Sequence, residues 1–118
     1  MEQSMYVAVT GTQHYFGTAF LKPGQVVQLI KDPDNSHDHE AIKAEIPPIG
    51  KIGYVANSTY TVPKGCRSAG RIYDTFDDQI NGMIRFVIKD TAIVELVPRL
   101  EEFQIIKVIE DRIRSSFD

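Results

Sequence analysis

Tryptophan is absent, cysteine occurs once, and no apolar run approaches the length of a membrane span. The single thiol, Cys66, closes no internal disulfide and offers a metal at most one thiolate. This excludes a disulfide-stapled scaffold or a multi-cysteine zinc site and fits a reducing compartment. A spanning helix needs about 20 consecutive apolar residues, so no membrane partner is expected. Met1–Tyr6 carries Glu2 and no basic stretch leading into an apolar region, so it reads as neither a secretory signal nor a transit peptide, and the expected location is cytoplasmic. An excess of positive charge is also missing. Thirteen Lys and Arg stand against 16 Asp and Glu, and the net charge of −3 argues against a protein that coats nucleic acid by bulk electrostatics. No nucleophile elbow, phosphate loop or His-Glu-x-x-His pattern occurs, so no catalytic residue, cofactor or metal is assigned.

What remains is an ordinary globular composition, 118 residues with 42% hydrophobic and 25% charged. That length suits one domain with one core, and no repeat or Pro/Gly/Ser-rich linker divides it. The segments are short and bounded by turn formers. Tyr6–Thr10 is β-rich and stops at Gly11, and Gln25–Ile30 follows the turn signal Lys22-Pro-Gly24. Ala41–Ile46 and Lys51–Val55 continue what reads as a three-stranded meander over residues 25–55. Ser68 is a helix N-cap candidate ahead of Ile72, Tyr73 and Phe76. Met83–Ile88 and Ala92–Val97 flank a turn at Lys89-Asp90 and predict a hairpin. Leu100, Phe103, Ile106, Ile109 and Ile113 recur at helical spacing, which predicts an amphipathic C-terminal helix docked on the same domain or used for a dimer contact.

Two segments carry candidate chemistry. Gly11-Thr-Gln-His-Tyr-Phe-Gly17 sets polar and aromatic residues between glycines. Flat rings there would stack on bases, while the plainer alternative is that Tyr15 and Phe16 fill the core beside a turn. Lys31-Asp-Pro-Asp-Asn-Ser-His-Asp-His-Glu40 is rich in side chains that close turns on their own backbone, so a structural loop is the plain reading. His37 and His39 have ligand chemistry, yet their spacing with Asp34, Asp38 and Glu40 matches neither a calcium loop nor a zinc signature. A carboxylate among turn N–H groups also suits a sugar hydroxyl. Charge is unevenly spread. Between Glu45 and Asp74 there is no acid, while Lys51, Lys64, Arg67 and Arg71 form a basic segment that is either a solvated face or a phosphate-contacting patch.

Taken together, Gly11–Tyr15, Lys31–Asp38 with Ala41-Ile42, and Lys51–Val55 resemble the successive motifs of the HIRAN domain, in order and spacing. The resemblance runs from about Tyr6 to Val97 and extends through Ala56-Asn-Ser58 and Arg71–Asp74, which is similar to free-standing bacterial members. It implies a mainly β fold, a compact barrel of the OB-like or SH3-like kind with a short helix over residues 1–98, to which the helix of 99–118 is added. It also implies recognition of single-stranded DNA at a free 3′ end. Eukaryotic members carry the domain on a fork-remodelling ATPase, which suggests DNA repair or stalled-fork processing. The family's aromatic pair falls on His14 and Tyr15, its preceding basic residue on Gln13, and the carboxylate that meets the 3′-hydroxyl on Asp38, flanked by Asn35 and His37. Tyr54 takes a position that is histidine in a DNA-binding member, and the aromatic near the final strand falls where this chain has Ile93. Gln13 removes one phosphate contact. His14 brings an imidazole, whose charge would strengthen phosphate attraction, so binding is expected to depend on pH.

The expected function is therefore a strand-end binding module in which His14 and Tyr15 stack, Asp38 accepts from the 3′-hydroxyl, and Lys51, Arg67 or Arg71 neutralise phosphates. The alternative is a protein-interaction or oligomerisation module working through residues 99–118. A small hydrolase using His37, Asp38 and Cys66 is the least supported, since no geometry for it is recognisable.

Overall fold

In β6 (Thr91–Val97) every second side chain is buried, Ala92, Val94 and Leu96, and β3 (Ile42–Ile46) repeats the pattern with Ile42, Ala44 and Ile46. A strand puts successive side chains on opposite faces, so this alternation fixes which face meets the core. The computed structural model describes residues 4–97. The other strands are β1 (Tyr6–Thr10), β2 (Val26–Lys31), β4 (Gly50–Val55) and β5 (Gln79–Ile88). They close into an antiparallel barrel in the order β1-β4-β3-β2-β5-β6, with β6 returning to pair with β1. Among the described residues, closure leaves the sheet with no free edge strand. The interior is filled by Val7, Val9, Val27, Leu29, Ile42, Ile52, Ile84 and Val94, each fully buried. Burial of such side chains contributes about 1.5–3 kcal/mol each, an upper figure because the unfolded chain is partly compact.

The meander of β2, β3 and β4 and the hairpin of β5 and β6 are as the sequence predicts. Two elements differ. β5 begins at Gln79, four positions before the predicted strand, and those residues pair with β2 from Ile30↔Gln79 to Val27↔Gly82. The polar and glycine positions hide the strand from a hydrophobicity reading, whereas backbone pairing needs no apolar side chain. The predicted helix is one turn, α1 (Ala69–Ile72), with Ser68 Oγ accepting from the Arg71 N–H at 3.3 Å. A 3-10 turn over Tyr73–Thr75 follows, and Phe76 is already extended. Thr75 Oγ1 donates to the Ile72 carbonyl at 2.6 Å, and Lys31 Nζ donates to the Phe76 carbonyl at 2.8 Å while lying over the Tyr73 and Phe76 rings. Those contacts hold the end of the helix open. The boundary expected at residue 98 and the tail helix of 99–118 lie outside the described residues. No helix among the described residues is long and apolar enough to cross a membrane.

Candidate functional site

Gly11, at φ 71°, turns the chain out of β1 into a 3-10 turn over Thr12–His14. Glycine takes that left-handed conformation without penalty. Thr12 is fully buried and its Oγ1 donates to the Asp90 carbonyl at 2.6 Å, while Thr18 Oγ1 donates to the Lys89 carbonyl at 2.9 Å. Thus the loop after β1 is tied at two points to the β5–β6 turn. Between those points Gln13 and His14 are exposed, and Tyr15 and Phe16 retain 39% and 51% of their accessible surface. The two aromatic rings do not fill the core, which settles the alternative left open by the sequence.

Tyr15 meets β4. Its ring centroid lies 6.5 Å from that of Tyr54 at an interplanar angle of 47°, and Lys51 Nζ lies 5.5 Å from the Tyr15 centroid and 4.9 Å from that of Tyr54. Lys51 and Tyr54 are three apart, so a regular strand would send them to opposite faces. Register explains why they share one. Glu45 pairs with Lys51 and Ala44 with Gly53, leaving Ile52 as an extra residue on β4. Ile52 is fully buried, and this bulge turns both Lys51 and Tyr54 outward. The Lys51 ammonium donates to Tyr54 Oη at 3.0 Å, and the Tyr54 hydroxyl donates to Asp32 Oδ2 at 2.8 Å. The bond to Tyr54, with the nearby Tyr15 and Asp32, holds the Lys51 pKa above the ordinary lysine value against the opposing pull of partial burial.

Asp32 opens the second segment. Its N–H donates to the Ala41 carbonyl at 2.8 Å, closing the loop over residues 32–41 at its base. Within the loop, Asn35 Oδ1 accepts from the N–H groups of His37 and Asp38 at 2.9 and 3.2 Å, so the Asn35 side-chain oxygen shapes the turn. The Asp38 carboxylate accepts from the Glu40 N–H at 2.9 Å and from Asn57 Nδ2 at 2.8 Å. Asn57 Oδ1 in turn accepts from the Gly70 N–H at 2.8 Å. A carboxylate offers about four lone-pair directions, so two hydrogen bonds orient Asp38 and leave capacity for a ligand hydroxyl.

The structure thus gathers Tyr15, Lys51 and Tyr54 in direct contact, with Asp38 fixed through Asn57, three residues after Tyr54. Among the described residues no side-chain hydrogen bond or ion pair links His14 to this group; the rings brought together are Tyr15 and Tyr54, and the cation beside them is Lys51, whereas the family's basic residue falls on Gln13. His37 is an exposed ring on the loop, and Ile93 lies half-buried on β6. Arg67 and Arg71 line a separate cleft together with Asn57, Ser68 and Cys66. Burial pushes the Cys66 thiol up, the opposite of what a nucleophile needs, despite Lys64 and Arg67 nearby in sequence. Among the described residues no group of three or more His, Cys, Asp and Glu gathers closely enough to hold a metal ion. The sequence reading gave no role to Asp32 or Asn57. Their signal was positional, Asp32 directly after β2 and Asn57 two residues beyond β4, and neither residue type stands out among the other turn formers.

The family profile of the HIRAN domain matches residues 3–96. The chain belongs to the HIRAN domain family. Among solved structures, the fold is similar to the HIRAN domain of human HLTF, at 23% identity and a TM-score of 0.59 over 79% of this chain and 72% of that one. It is also similar to a protein from Lactobacillus plantarum, at 17% identity and a TM-score of 0.55 over 80% of this chain and 93% of that one. At these identities the likeness establishes the barrel and leaves side-chain roles to the site itself. No curated protein matches the chain.

Proposed function

We propose that this HIRAN domain binds single-stranded DNA at a free 3′ end, in keeping with a family of DNA-binding modules, and acts as a binding module with no chemistry of its own. The observation that carries the reading is the Lys51 ammonium, bonded to the Tyr54 hydroxyl and within 5.5 Å of the Tyr15 ring centroid, together with a loop whose Asp38 carboxylate is oriented with acceptor capacity to spare. Tyr15, and Tyr54 behind it, offer ring faces to the terminal bases, where stacking contributes about 1–3 kcal/mol per base. Lys51 supplies a charge for a phosphate, and Asp38 accepts from the 3′-hydroxyl while repelling a 3′-phosphate. Recognition of an end ties the domain to DNA repair or stalled-fork processing.

Titration of a short strand ending in a 3′-hydroxyl against its 3′-phosphorylated twin tests this reading. The hydroxyl end is expected to bind more tightly, Asp38→Ala to remove the preference, and Tyr15→Ala to weaken both ligands by about 1–3 kcal/mol. Equal affinity of the wild type for the two ends would remove the role given to Asp38. A second reading, docking of a protein partner, draws on the exposed Phe16, Phe20, Phe86 and Ile88, which retain between 51% and 62% of their surface. Sedimentation of the full chain over a range of concentration tests self-association, and a strictly monomeric chain would leave the second-copy version unsupported.

A further inference from the structure

The sign of charge changes across Asn57. On one side stands the Asp38 carboxylate, bonded to Asn57 Nδ2. Glu40 lies against α1, its Oε1 3.0 Å from where a β-carbon on Gly70 would stand, outside the lining of the neighbouring cleft. On the other side the segment after β4 folds back on α1 to form a cleft of about 480 Å³, lined by Asn57, Thr59, Arg67, Ser68 and Arg71 among others and by no acidic residue. Among the described residues neither Arg67 nor Arg71 makes a salt bridge. Two guanidinium groups lining one cleft present planar donor forks with no carboxylate in the lining, and a bound oxyanion would accept from them. The hydroxyls suit the same ligand. Ser68 Oγ already accepts from the Arg71 N–H, so its own proton is available to an anion oxygen, and Thr59 adds a second hydroxyl.

We propose that this cleft is a phosphate subsite, holding a backbone phosphodiester of the same DNA strand whose 3′-hydroxyl lies at Asp38. The inference rests on the end-binding reading and adds a direction to it. The hydroxyl terminus lies on the acidic side of Asn57, and the strand runs back past Asn57 so that an internal phosphate reaches Arg67 and Arg71. The cleft volume falls in the range of about 300–1,000 Å³ typical of small-ligand sites, which leaves room for the adjoining sugar. Asn57 serves both halves, orienting Asp38 with its amide nitrogen and forming part of the cleft wall. The footprint therefore extends beyond the terminal nucleotide.

The test uses the full chain, oligothymidylates of increasing length with a 3′-hydroxyl, and single methylphosphonate replacements that remove the charge of one linkage at a time. Arg67→Gln with Arg71→Gln is compared with wild type and with the Lys double variant, which keeps the charge. For wild type, affinity is expected to rise with length up to the linkage that reaches the cleft, and neutralising that linkage is expected to abolish the rise. In the Gln variant the rise is expected to vanish, the slope of log K against log salt to shallow by about 0.7, the value for one phosphate neutralised on a single strand, and the Lys variant to recover much of it. The preference for the hydroxyl end is expected to persist in all three. A Gln variant with the wild-type salt slope and length profile would overturn the subsite, as would a wild type that binds no strand. Loss of end preference in the wild type, with the slope difference retained, would remove the end-binding reading and leave the cleft as a phosphate site.

Discussion

Tyr54→Phe removes one oxygen from the centre of the site and leaves the ring. That oxygen accepts from Lys51 Nζ at 3.0 Å and donates to Asp32 Oδ2 at 2.8 Å, so two hydrogen bonds to charged partners disappear together. Bonds to charged groups contribute about 1.5–3 kcal/mol each when well buried. Tyr54, Lys51 and Asp32 are all half-buried, and water takes up the two charges when the hydroxyl leaves. The expected cost is therefore lower, about 0.5–1.5 kcal/mol in total. For a domain of this size that corresponds to a fall in Tm of about 2–6 °C. The pH dependence carries a sign. Lys51 is held above its ordinary pKa first of all by the bond to Tyr54, so protonated Lys51 favours the folded state. This contribution is complete below the unfolded value of about 10.4 and is lost as pH rises through the higher folded value. The deficit of Tyr54→Phe is thus expected to be constant through neutral pH and to shrink only above about pH 10.4. Urea melts at several pH values and an NMR titration of Lys51 measure both effects. Asp32→Asn in the same background is expected to be less than additive, because the two changes break one chain of hydrogen bonds. A Tyr54→Phe protein of wild-type stability whose Lys51 titration superposes on that of wild type would refute the reasoning.

Three other changes probe the frame that holds the site. Thr12→Val keeps the shape of a buried side chain but deprives the Asp90 carbonyl of its 2.6 Å donor, with an expected loss of about 1–2 kcal/mol in urea melts and faster proteolysis of the loop after β1. Wild-type stability and cleavage would show that the tie is dispensable. Gly53→Ala would place a β-carbon 2.5 Å from the Thr10 carbonyl oxygen and 2.9 Å from Val9 Cγ1, where β1 and β4 approach; overpacking of this kind costs about 1–3 kcal/mol, and a neutral result by thermal melting would contradict the close approach. Glu95 is held below the ordinary carboxylate pKa by a hydrogen bond from Ser4 and by Arg85. Its stabilisation is therefore present above about pH 4.3 and lost as pH falls through the lower folded value, so Glu95→Gln is expected to flatten the acid limb of the stability curve. Superposable acid titrations would count against that pairing.

Much of the barrel could be read directly. Alternation in Ala41–Ile46 and Ala92–Val97 and the turn formers at Gly11, Lys22-Pro-Gly24 and Lys89-Asp90 are local signals, and the strands follow from them. The two segments of the candidate site, Gly11–Tyr15 and Lys31–Asp38, were also visible, because glycines flanking aromatic residues and a dense run of turn formers stand out in the sequence. The start of β5 was not, since Gln79–Gly82 owes its place to pairing with β2 and not to its own composition. Nor was the short span of α1, which gives way at Tyr73 to a 3-10 turn whose far side, the Phe76 carbonyl, is taken by Lys31 from far away in sequence.

The sequence alone determined that this is a mainly β domain and which two loops carry its polar and aromatic groups, because periodicity and turn chemistry act over a few residues, while the HIRAN family showed only as a resemblance of its motifs. Which groups meet was decided by the tertiary structure. A single extra residue at Ile52 puts Lys51 on the same face as Tyr54, and barrel closure brings Tyr15 against that distant ring. The same closure of the barrel brings Asn57 from beyond β4 onto Asp38 and puts Arg67 and Arg71 in a cleft of their own. Strand register and long-range hydrogen bonds have no short-range signature, so residue types could nominate the members of the site but not their arrangement.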